Sequence, residues 1–355
     1  MTAARITGTG SYIPEVRIPN ENFSDNRFFK ETGEEILQEG KLIIEKFKAI
    51  TGIQERRYAR PEQQTSDLAT KAAQNAIAAA GIDPETLDGL IMAHNFGNIP
   101  EGKIQSDILP SLATRIKHNL GIKNPYCIAF DILYGCPGWL EALILAETYI
   151  RAGKGRKYLV VAGETLSRKL DPHDRDSMIF ADGAGAAVLE ATDKGDESGI
   201  LATSSQTFTE DEAYYLYYDV SNNPEITHNT RFIKMKGAKI FEFALTHVPA
   251  AMKKCMDLSG VPINEVKKVL IHQANEKMDE AIIKRFFRLY NQQPPEDIMP
   301  MSIHLLGNSS VATVPTLLDK LMREDLDHHR VQKGDVILLA SVGSGMSINA
   351  VTYRI

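Results

Sequence analysis

Apolar, strand-like stretches alternate with amphipathic, helix-like stretches along almost the whole chain of 355 residues. The predicted strands of the first series are 4–14, 87–95, 126–133, 157–164 and 183–192. Those of the second series are 199–208, 266–273, 335–345 and 347–355. Predicted helices lie at 21–50, 65–80, 104–119, 137–152, 236–259, 275–290 and 308–322. Regular alternation of the two kinds of element predicts a layered α/β fold.

The two series share one order: a buried strand, a turn of small residues, then a helix. This order indicates a duplicated unit that divides near residue 195, so we predict two halves, 1–195 and 196–355. No charge run, low-complexity tract or linker lies between the halves. We therefore expect them to pack closely against each other.

Charge and composition narrow the classes of protein. The chain has 40 Lys and Arg against 46 Asp and Glu, a net charge of −6, which disfavours general nucleic-acid binding. No apolar run approaches the roughly 18 residues of a membrane helix, and the start MTAARITGTGSYIP lacks the pattern of a signal peptide. We expect a cytoplasmic protein that contacts neither membranes nor nucleic acid. The chain has no CxxC or HExxH motif, so we expect no metal.

The three cysteines are too few for a disulfide framework. Cys136 directly precedes Pro137 at the predicted start of a helix. Helix-terminal N–H groups and the helix dipole stabilise a thiolate there, so this position predicts a lowered pKa and a nucleophile. A buried packing role is the alternative for Cys136, and it is the expected role of Cys127 and Cys255.

Two further residues are candidates because of where they lie. His272 ends an apolar strand, at the edge where α/β sheets place catalytic groups. Asn308 follows Gly307 before a predicted helix, where its amide can donate a hydrogen bond or merely cap the helix. The glycine clusters FADGAGAAV (180–188) and SVGSGMS (341–347) are not dinucleotide-binding fingerprints; the first leads into an apolar strand and does not open a helix.

Taken together, these motifs resemble those of β-ketoacyl-acyl-carrier-protein synthase III and its relatives in the thiolase superfamily. The similar segments are GTGSYIPE, TGIQERRYA, GCPGWLEAL, DPHDR, FADGAGAAVL, IHQAN, GNSSVATVP and VGSGMS, and they span nearly the whole chain. The resemblance implies a thiolase-like fold of two five-stranded halves in αβαβα layers, and a homodimer.

The resemblance also implies catalytic roles. Cys136 matches the nucleophile that takes an acyl group from a thioester. His272 and Asn308 match the pair that binds a malonyl thioester and promotes its decarboxylation, so that the product is a 3-oxoacyl thioester of fatty acid or related secondary metabolism. The backbone N–H groups of Cys136 and Ser344 match the oxyanion donors.

The implied partners are acyl-CoA, malonyl-acyl-carrier protein and the carrier protein itself, with no cofactor beyond these thioesters. Arg175 and Asn275 match positions that contact coenzyme A and its pantetheine arm. Lys277, Lys284 and Arg285 match a basic face that docks the acidic carrier protein.

Other functions stay open at this point. The tryptophan that the family carries before TGI is absent, which favours a different acyl starter or a carrier-protein donor. An acyl transfer to an acceptor other than malonate could use an extra carboxylate such as Glu101 or Asp107. A non-catalytic partner of another ketosynthase and a thioester hydrolase are further alternatives.

Overall fold

The computed structural model describes residues 4–103, 105–193 and 195–355. Its strands are β1 Ala4–Tyr12, β2 Val16–Pro19, β3 Glu55–Tyr58, β4 Gly89–Ala93, β5 Ile128–Ile132, β6 Lys157–Thr165, β7 Asp182–Ala191, β8 Gly199–Thr207, β9 Leu216–Asp219, β10 Phe232–Met235, β11 Val266–Ile271, β12 Val336–Gly343 and β13 Ser347–Arg354. Its α-helices are α1 Gly40–Thr51, α2 Thr65–Ala80, α3 Leu112–Asn119, α4 Gly138–Arg151, α5 Gly237–Ser259, α6 Glu276–Arg288, α7 Ile303–Leu306 and α8 Thr313–Met322.

Two sheets form the centre of the fold. The first has the order β1-β7-β6-β4-β5, and the second has the order β11-β12-β13-β8. Helices α4 and α8 lie between the sheets, where they share one apolar core with both. Helices α2 and α3 cover the outer face of the first sheet, and α5 and α6 cover the outer face of the second. The resulting αβαβα layers confirm the predicted fold class.

Alternation of side chains along the strands explains this layering. In β12, Ile337 and Leu339 belong to the core between the sheets, whereas Leu338 and Ala340 pack on the outer helices. In β6, Val160 likewise faces inward while Leu159 packs outward. A strand with an unbroken apolar run is buried on both faces, as residues 158–162 of β6 and 336–340 of β12 are.

The direction of the strands positions the functional residues. Strand β4 is parallel to β5 and β6, and Ala93 pairs with Ile132 and Ala162. Strand β11 is parallel to β12 in the second sheet. Each sheet therefore collects the carboxyl ends of its parallel strands at one edge, the edge where α/β proteins build their sites.

Three expectations about the fold are wrong. Residues 24–39 are not helical; Gly33 adopts φ 80° and the chain folds back on itself, so that Phe29 bridges Glu35. The helix predicted from residue 104 begins only at Leu112, because Pro110 lacks an N–H for an earlier turn. Ile104 itself lies outside the described residues.

The third wrong expectation is the number of strands in the second sheet, which has four strands among the described residues and not five. Strands β9 and β10 pair with each other as a separate hairpin and do not extend that sheet. The other predicted strands and helices are confirmed to within a few residues. No helix within the described residues is long and apolar enough to cross a membrane.

Candidate active site

Cys136 lies at the amino-terminal end of α4, as predicted. The helix begins at Gly138 with Pro137 as its N-cap residue. Gly135 has φ 70°, a conformation that a residue with a side chain rarely adopts, and this sharp turn joins β5 to the helix. The backbone N–H of Cys136 forms no hydrogen bond with another described residue, so it is available to a substrate oxygen.

The environment of the thiol differs from the expectation. Burial raises the pKa of Cys136 to about 11, and the nearby Glu164 carboxylate acts in the same direction. A hydrogen bond from Ser310 and the backbone of Cys136 itself oppose this rise without overcoming it. The prediction of a lowered pKa is therefore wrong, because removal from water outweighs the helix terminus.

Ser310 connects the nucleophile to Asn308. The Ser310 hydroxyl donates to Cys136 Sγ at 3.3 Å, and the Ser310 N–H donates to Asn308 Oδ1 at 2.8 Å. Because the Asn308 oxygen is used in this way, its Nδ2 group is left as a hydrogen-bond donor. Asn308 is only 2% exposed, and its backbone pairs with Phe180.

His272 follows β11 directly and is 3% exposed. Its backbone N–H donates to Ala340 O at 2.8 Å. His272 therefore lies beside β12, at a position three residues before Gly343. Its Nδ1 atom is buried without a hydrogen-bond partner among the described residues. Burial lowers the pKa of His272 to about 4, so the imidazole is neutral at physiological pH.

The Gly343–Ser344 backbone packs against the nucleophile. A Cβ atom on Gly343 would lie 2.5 Å from Cys136 N, and one on Gly135 would lie 2.7 Å from Ser344 N. Both contacts are possible only because neither residue has a side chain. The left-handed conformations of this turn fall on Gly345 and Met346, at φ 70° and 44°.

A cavity of about 550 Å³ opens beside Cys136. Its polar lining includes Asn95, Thr207, Ser310 and Ser344. Aromatic and aliphatic side chains form the rest of the wall: Phe96, Leu133, Tyr134, Leu166, Phe180, Leu216, Tyr217, Tyr218 and Ile233. The β9–β10 hairpin supplies several of these residues, and Tyr218 of the hairpin stacks on Phe96 at 5.2 Å between ring centroids.

A second cavity of about 380 Å³ contains both predicted thioester-binding residues, Arg175 and Asn275. Arg175 is half exposed and lies 3.4 Å from Asp176, while Asn275 Oδ1 caps α6 by accepting from Met278 N. Residues that are adjacent in the sequence line the two cavities. Ile179 lines the second cavity and its neighbour Phe180 lines the first.

Asn308 lies beside Ile179 and Phe180, because its N–H donates to Ile179 O at 2.9 Å. Asn308 and His272 line neither cavity. The structure thus brings Asn308 to Cys136 through Ser310, and no hydrogen bond joins the His272 side chain to either residue in the described part of the chain.

Comparison with known proteins identifies the family. A family model described as 3-Oxoacyl-[acyl-carrier-protein (ACP)] synthase III matches residues 130–208, and its C-terminal counterpart matches residues 256–355. A β-ketoacyl-[acyl-carrier-protein] synthase III from Sphingopyxis alaskensis is 32% identical over 99% of both chains. The chain belongs to the 3-oxoacyl-[acyl-carrier-protein] synthase III family.

Solved structures agree with this assignment. The synthase III of Aquifex aeolicus is 30% identical, with a TM-score of 0.80 over 99% of this chain and 100% of that one. The priming β-ketosynthase of the R1128 polyketide pathway is 25% identical, with the same TM-score over 99% and 96%. The predicted family, the thiolase fold and the identity of the protein as a transferase are confirmed, and the roles of individual residues stay predictions.

Other predicted residues of the synthase lie away from Cys136. Lys277, Lys284 and Arg285 are exposed on α6, and Lys284 lies 3.8 Å from Glu280. Glu101 pairs with Arg168, and Asp107 pairs with Arg115. Neither carboxylate lines the cavity at Cys136, so the structure offers no support for either as an extra base.

The remaining cysteines are buried in the core, as predicted. Cys127 packs beneath α2 and α3, and Cys255 packs in the core of the second sheet, where burial raises its pKa to about 11. The described residues hold no group of His, Cys, Asp and Glu side chains suited to a metal.

Sequence reasoning missed three polar residues of the synthase site. Asn95 donates to Ser310 Oγ at 3.0 Å, and the Asn95 N–H donates to Glu164 Oε1 at 2.7 Å. A usable signal existed, because Asn95 follows β4 and Glu164 lies at the end of β6, on the edge that also collects Cys136. Ser310 lies in the same GNSS segment as Asn308, two residues further along the chain.

Proposed function

We propose that the protein condenses an acyl group with malonyl-acyl-carrier protein to give a 3-oxoacyl product, as its family does, in fatty acid or related secondary metabolism. The observation that carries this proposal is the joining of Cys136 to Asn308 through Ser310, at the start of α4. We assign the nucleophile to Cys136 and the malonyl-binding pair to His272 and Asn308. The catalytic residues come from both proposed halves, 1–195 and 196–355.

The first step is acyl transfer to the thiol. The Cys136 thiol loses its proton to solvent, Sγ bonds to the thioester carbonyl carbon, and the donor thiolate leaves and is protonated. The tetrahedral intermediate carries a negative oxygen. We assign the N–H groups of Cys136 and Ser344 as its donors, since the 343–344 backbone abuts Cys136.

The second step uses the malonyl thioester. Its carboxylate leaves as CO₂, and the electron pair moves onto the thioester carbonyl as an enolate. The neutral His272 imidazole and the Asn308 Nδ2 group donate to this oxygen, and neutral donors introduce no competing charge. The enolate carbon then bonds to the acyl carbon, and the Cys136 thiolate leaves.

The two cavities are suited to two parts of the substrate. We assign the acyl chain to the apolar cavity at Cys136 and the pantetheine arm to the second cavity, with Arg175 and Asn275. A volume of about 550 Å³ lies in the range of sites for drug-sized ligands, far above the need of an acetyl group. We therefore propose a starter longer than acetyl.

Carrier-protein docking involves the exposed face of α6. Lys277, Lys284 and Arg285 offer positive charge on a protein of net charge −6, which suits an acidic partner. We further propose a homodimer, which light scattering of the purified protein tests directly.

The decisive experiment measures the acyl-enzyme and the product separately. The protein is incubated with acyl-CoA and acyl-carrier-protein donors of two to twelve carbons, and intact mass spectrometry follows the adduct in wild type and Cys136→Ala. We expect an adduct on wild type alone and a 3-oxoacyl product once malonyl-acyl-carrier protein is added. An adduct that survives Cys136→Ala, or turnover that does not need malonate, contradicts the proposal.

A further inference from the structure

The Ser310 hydroxyl contacts the sulfur of Cys136, with 3.3 Å between Oγ and Sγ. Ser310 is 3% exposed, so few water molecules compete for this contact. The roles assigned above to Cys136, His272 and Asn308 do not involve this hydroxyl. A polar group held against the reacting atom therefore needs its own explanation.

The neighbours of Ser310 determine the direction of its hydrogen bond. A hydroxyl has one proton to donate and two lone pairs that accept. Asn95 Nδ2 lies 3.0 Å from Ser310 Oγ and can only donate, so it uses one of the lone pairs. The single hydroxyl proton is then free to point at Cys136 Sγ. Ser310 thus acts as a donor to the sulfur.

This arrangement is rigid. Ser310 has φ 53°, a left-handed conformation that is unfavourable for a residue with a Cβ atom. The hydrogen bond from its N–H to Asn308 Oδ1 holds that conformation. Asn95 is held in turn by Glu164, which is 1% exposed and accepts from the Asn95 N–H at 2.7 Å. Strain maintained by several buried contacts is typical of functional sites.

We propose that Ser310 is a further catalytic residue, whose hydroxyl donates a hydrogen bond to the Cys136 thiolate in both half-reactions. Asn95 and Glu164 are positioning residues, because they aim that hydroxyl without touching the sulfur. The inference rests on the proposed function for its meaning in the reaction. Hydrogen bonds to an ionised group are about twice as strong as neutral ones, so the contact stabilises the thiolate more than the thiol.

Ser310 keeps its proton throughout. During acyl transfer the thiol proton passes to solvent, and the hydroxyl stabilises the attacking thiolate until the Sγ–carbon bond forms. A thioester sulfur is uncharged and accepts more weakly than a thiolate. During condensation the same hydroxyl stabilises the departing thiolate, so both half-reactions gain from one donor.

The test measures thiolate formation without any acyl substrate. Alkylation of Cys136 by iodoacetamide is followed by peptide mass spectrometry from pH 7 to 10, below the pKa of the thiol, where the rate is proportional to the fraction of thiolate. Ser310→Ala removes the donor. Ser310→Gly removes it in a residue that accepts φ 53° without strain, so this variant keeps the fold. Both variants retain the N–H that orients Asn308.

Ser309→Ala is the matched control. Ser309 is also buried, at 8% exposure, but its hydroxyl pairs with Thr313 at 3.4 Å. We expect both Ser310 variants to alkylate about tenfold more slowly than wild type at each pH in this range, the change that a rise of about one unit in the pKa of Cys136 would produce. Asn95→Ala should slow alkylation less, and Ser309→Ala should leave it unchanged.

An alkylation profile of Ser310→Ala and Ser310→Gly that coincides with wild type would overturn the proposal. So would an equally slow alkylation of Ser309→Ala, because the effect would then be structural. Acylation is measured on unalkylated portions of the same preparations. If wild type forms no acyl adduct while the Ser310 variants still alkylate more slowly, the proposed function fails and the role of Ser310 toward the thiolate is supported.

Discussion

The substitution Gly343→Ala tests whether the site depends on direct contact between the backbone at Gly343 and the backbone at Cys136. The added Cβ atom would lie 2.5 Å from Cys136 N, 2.7 Å from Cys136 Cβ and 2.8 Å from Pro137 Cδ. Non-bonded carbon atoms prefer a separation of about 3.5–4.0 Å, so the two backbone segments must move apart by roughly 1 Å. No flexible side-chain end is involved, because the contacted atoms belong to the start of α4 and to Cys136 itself.

The cost can be estimated for stability and for catalysis. Overpacking a tight core costs about 1–3 kcal/mol, and contacts this short put Gly343→Ala near the upper value. A misplacement of about 1 Å at a reacting group can reduce the rate by roughly a hundredfold. We therefore expect about 2–3 kcal/mol less free energy of unfolding and about a hundredfold slower acylation of Cys136.

Urea unfolding measures the first quantity, and single-turnover acylation followed by intact mass measures the second. Gly183→Ala is the control, since it adds the same methyl group to buried strand β7 with its nearest contact at an ordinary 3.4 Å. If Gly343→Ala acylates within about twofold of wild type at unchanged stability, the oxyanion geometry assigned to the N–H groups of Cys136 and Ser344 is refuted.

Three further predictions concern stability, pH and docking. Lys234→Met should lower the free energy of unfolding by about 3 kcal/mol in a urea titration, because it leaves the fully buried Asp171 carboxylate without its ion-pair partner; an unchanged midpoint would contradict this. Burial raises the pKa of Asp182 to about 6, so the folded state binds that proton more tightly and the stability due to it is lost as pH rises from about 4 to 6. Chemical denaturation should show that loss, about 2–3 kcal/mol, in wild type relative to Asp182→Asn, and parallel curves would refute it. Lys284→Glu should raise KM for malonyl-acyl-carrier protein several-fold at low salt with kcat little changed, whereas exposed Lys254→Glu on α5 should not, and equal effects would argue against docking on α6.

The sequence was sufficient to predict the layers and the strand ends. Strands with an unbroken apolar run, such as 158–162 in β6 and 336–340 in β12, can only be buried on both faces, and this requirement alone leads to a layered fold. Cys136 and His272 are predictable because Cys136 lies between β5 and the start of a helix, and His272 directly follows the apolar strand β11. The irregular segment 24–39 was not predictable in the same way, because its conformation depends on the turn at Gly33 and on a bridge between Phe29 and Glu35.

The sequence does not predict the burial and the hydrogen-bond partners of the site's side chains. The position of Cys136 at a helix terminus is visible in the sequence, but its burial is not, and burial decides the direction of its pKa. The contacts among Asn95, Glu164 and Ser310 join residues up to 215 positions apart, so no local sequence pattern predicts them. Such a network forms only where the folded sheets bring the ends of several strands together.

Burial acts in the same way on the titratable groups around the sulfur, because it favours the uncharged form of each. Burial raises the pKa of Glu164 well above its ordinary value, and a charged Glu164 would in turn disfavour the Cys136 thiolate. Burial also keeps His272 neutral. Cys136 and His272 are therefore uncharged at rest, and the site accepts one negative charge at a time, first on the thiolate, then on the acyl oxyanion, then on the enolate. The donors assigned to these charges are N–H and O–H groups, which act as fixed dipoles in a site removed from water and stabilise a transition state strongly.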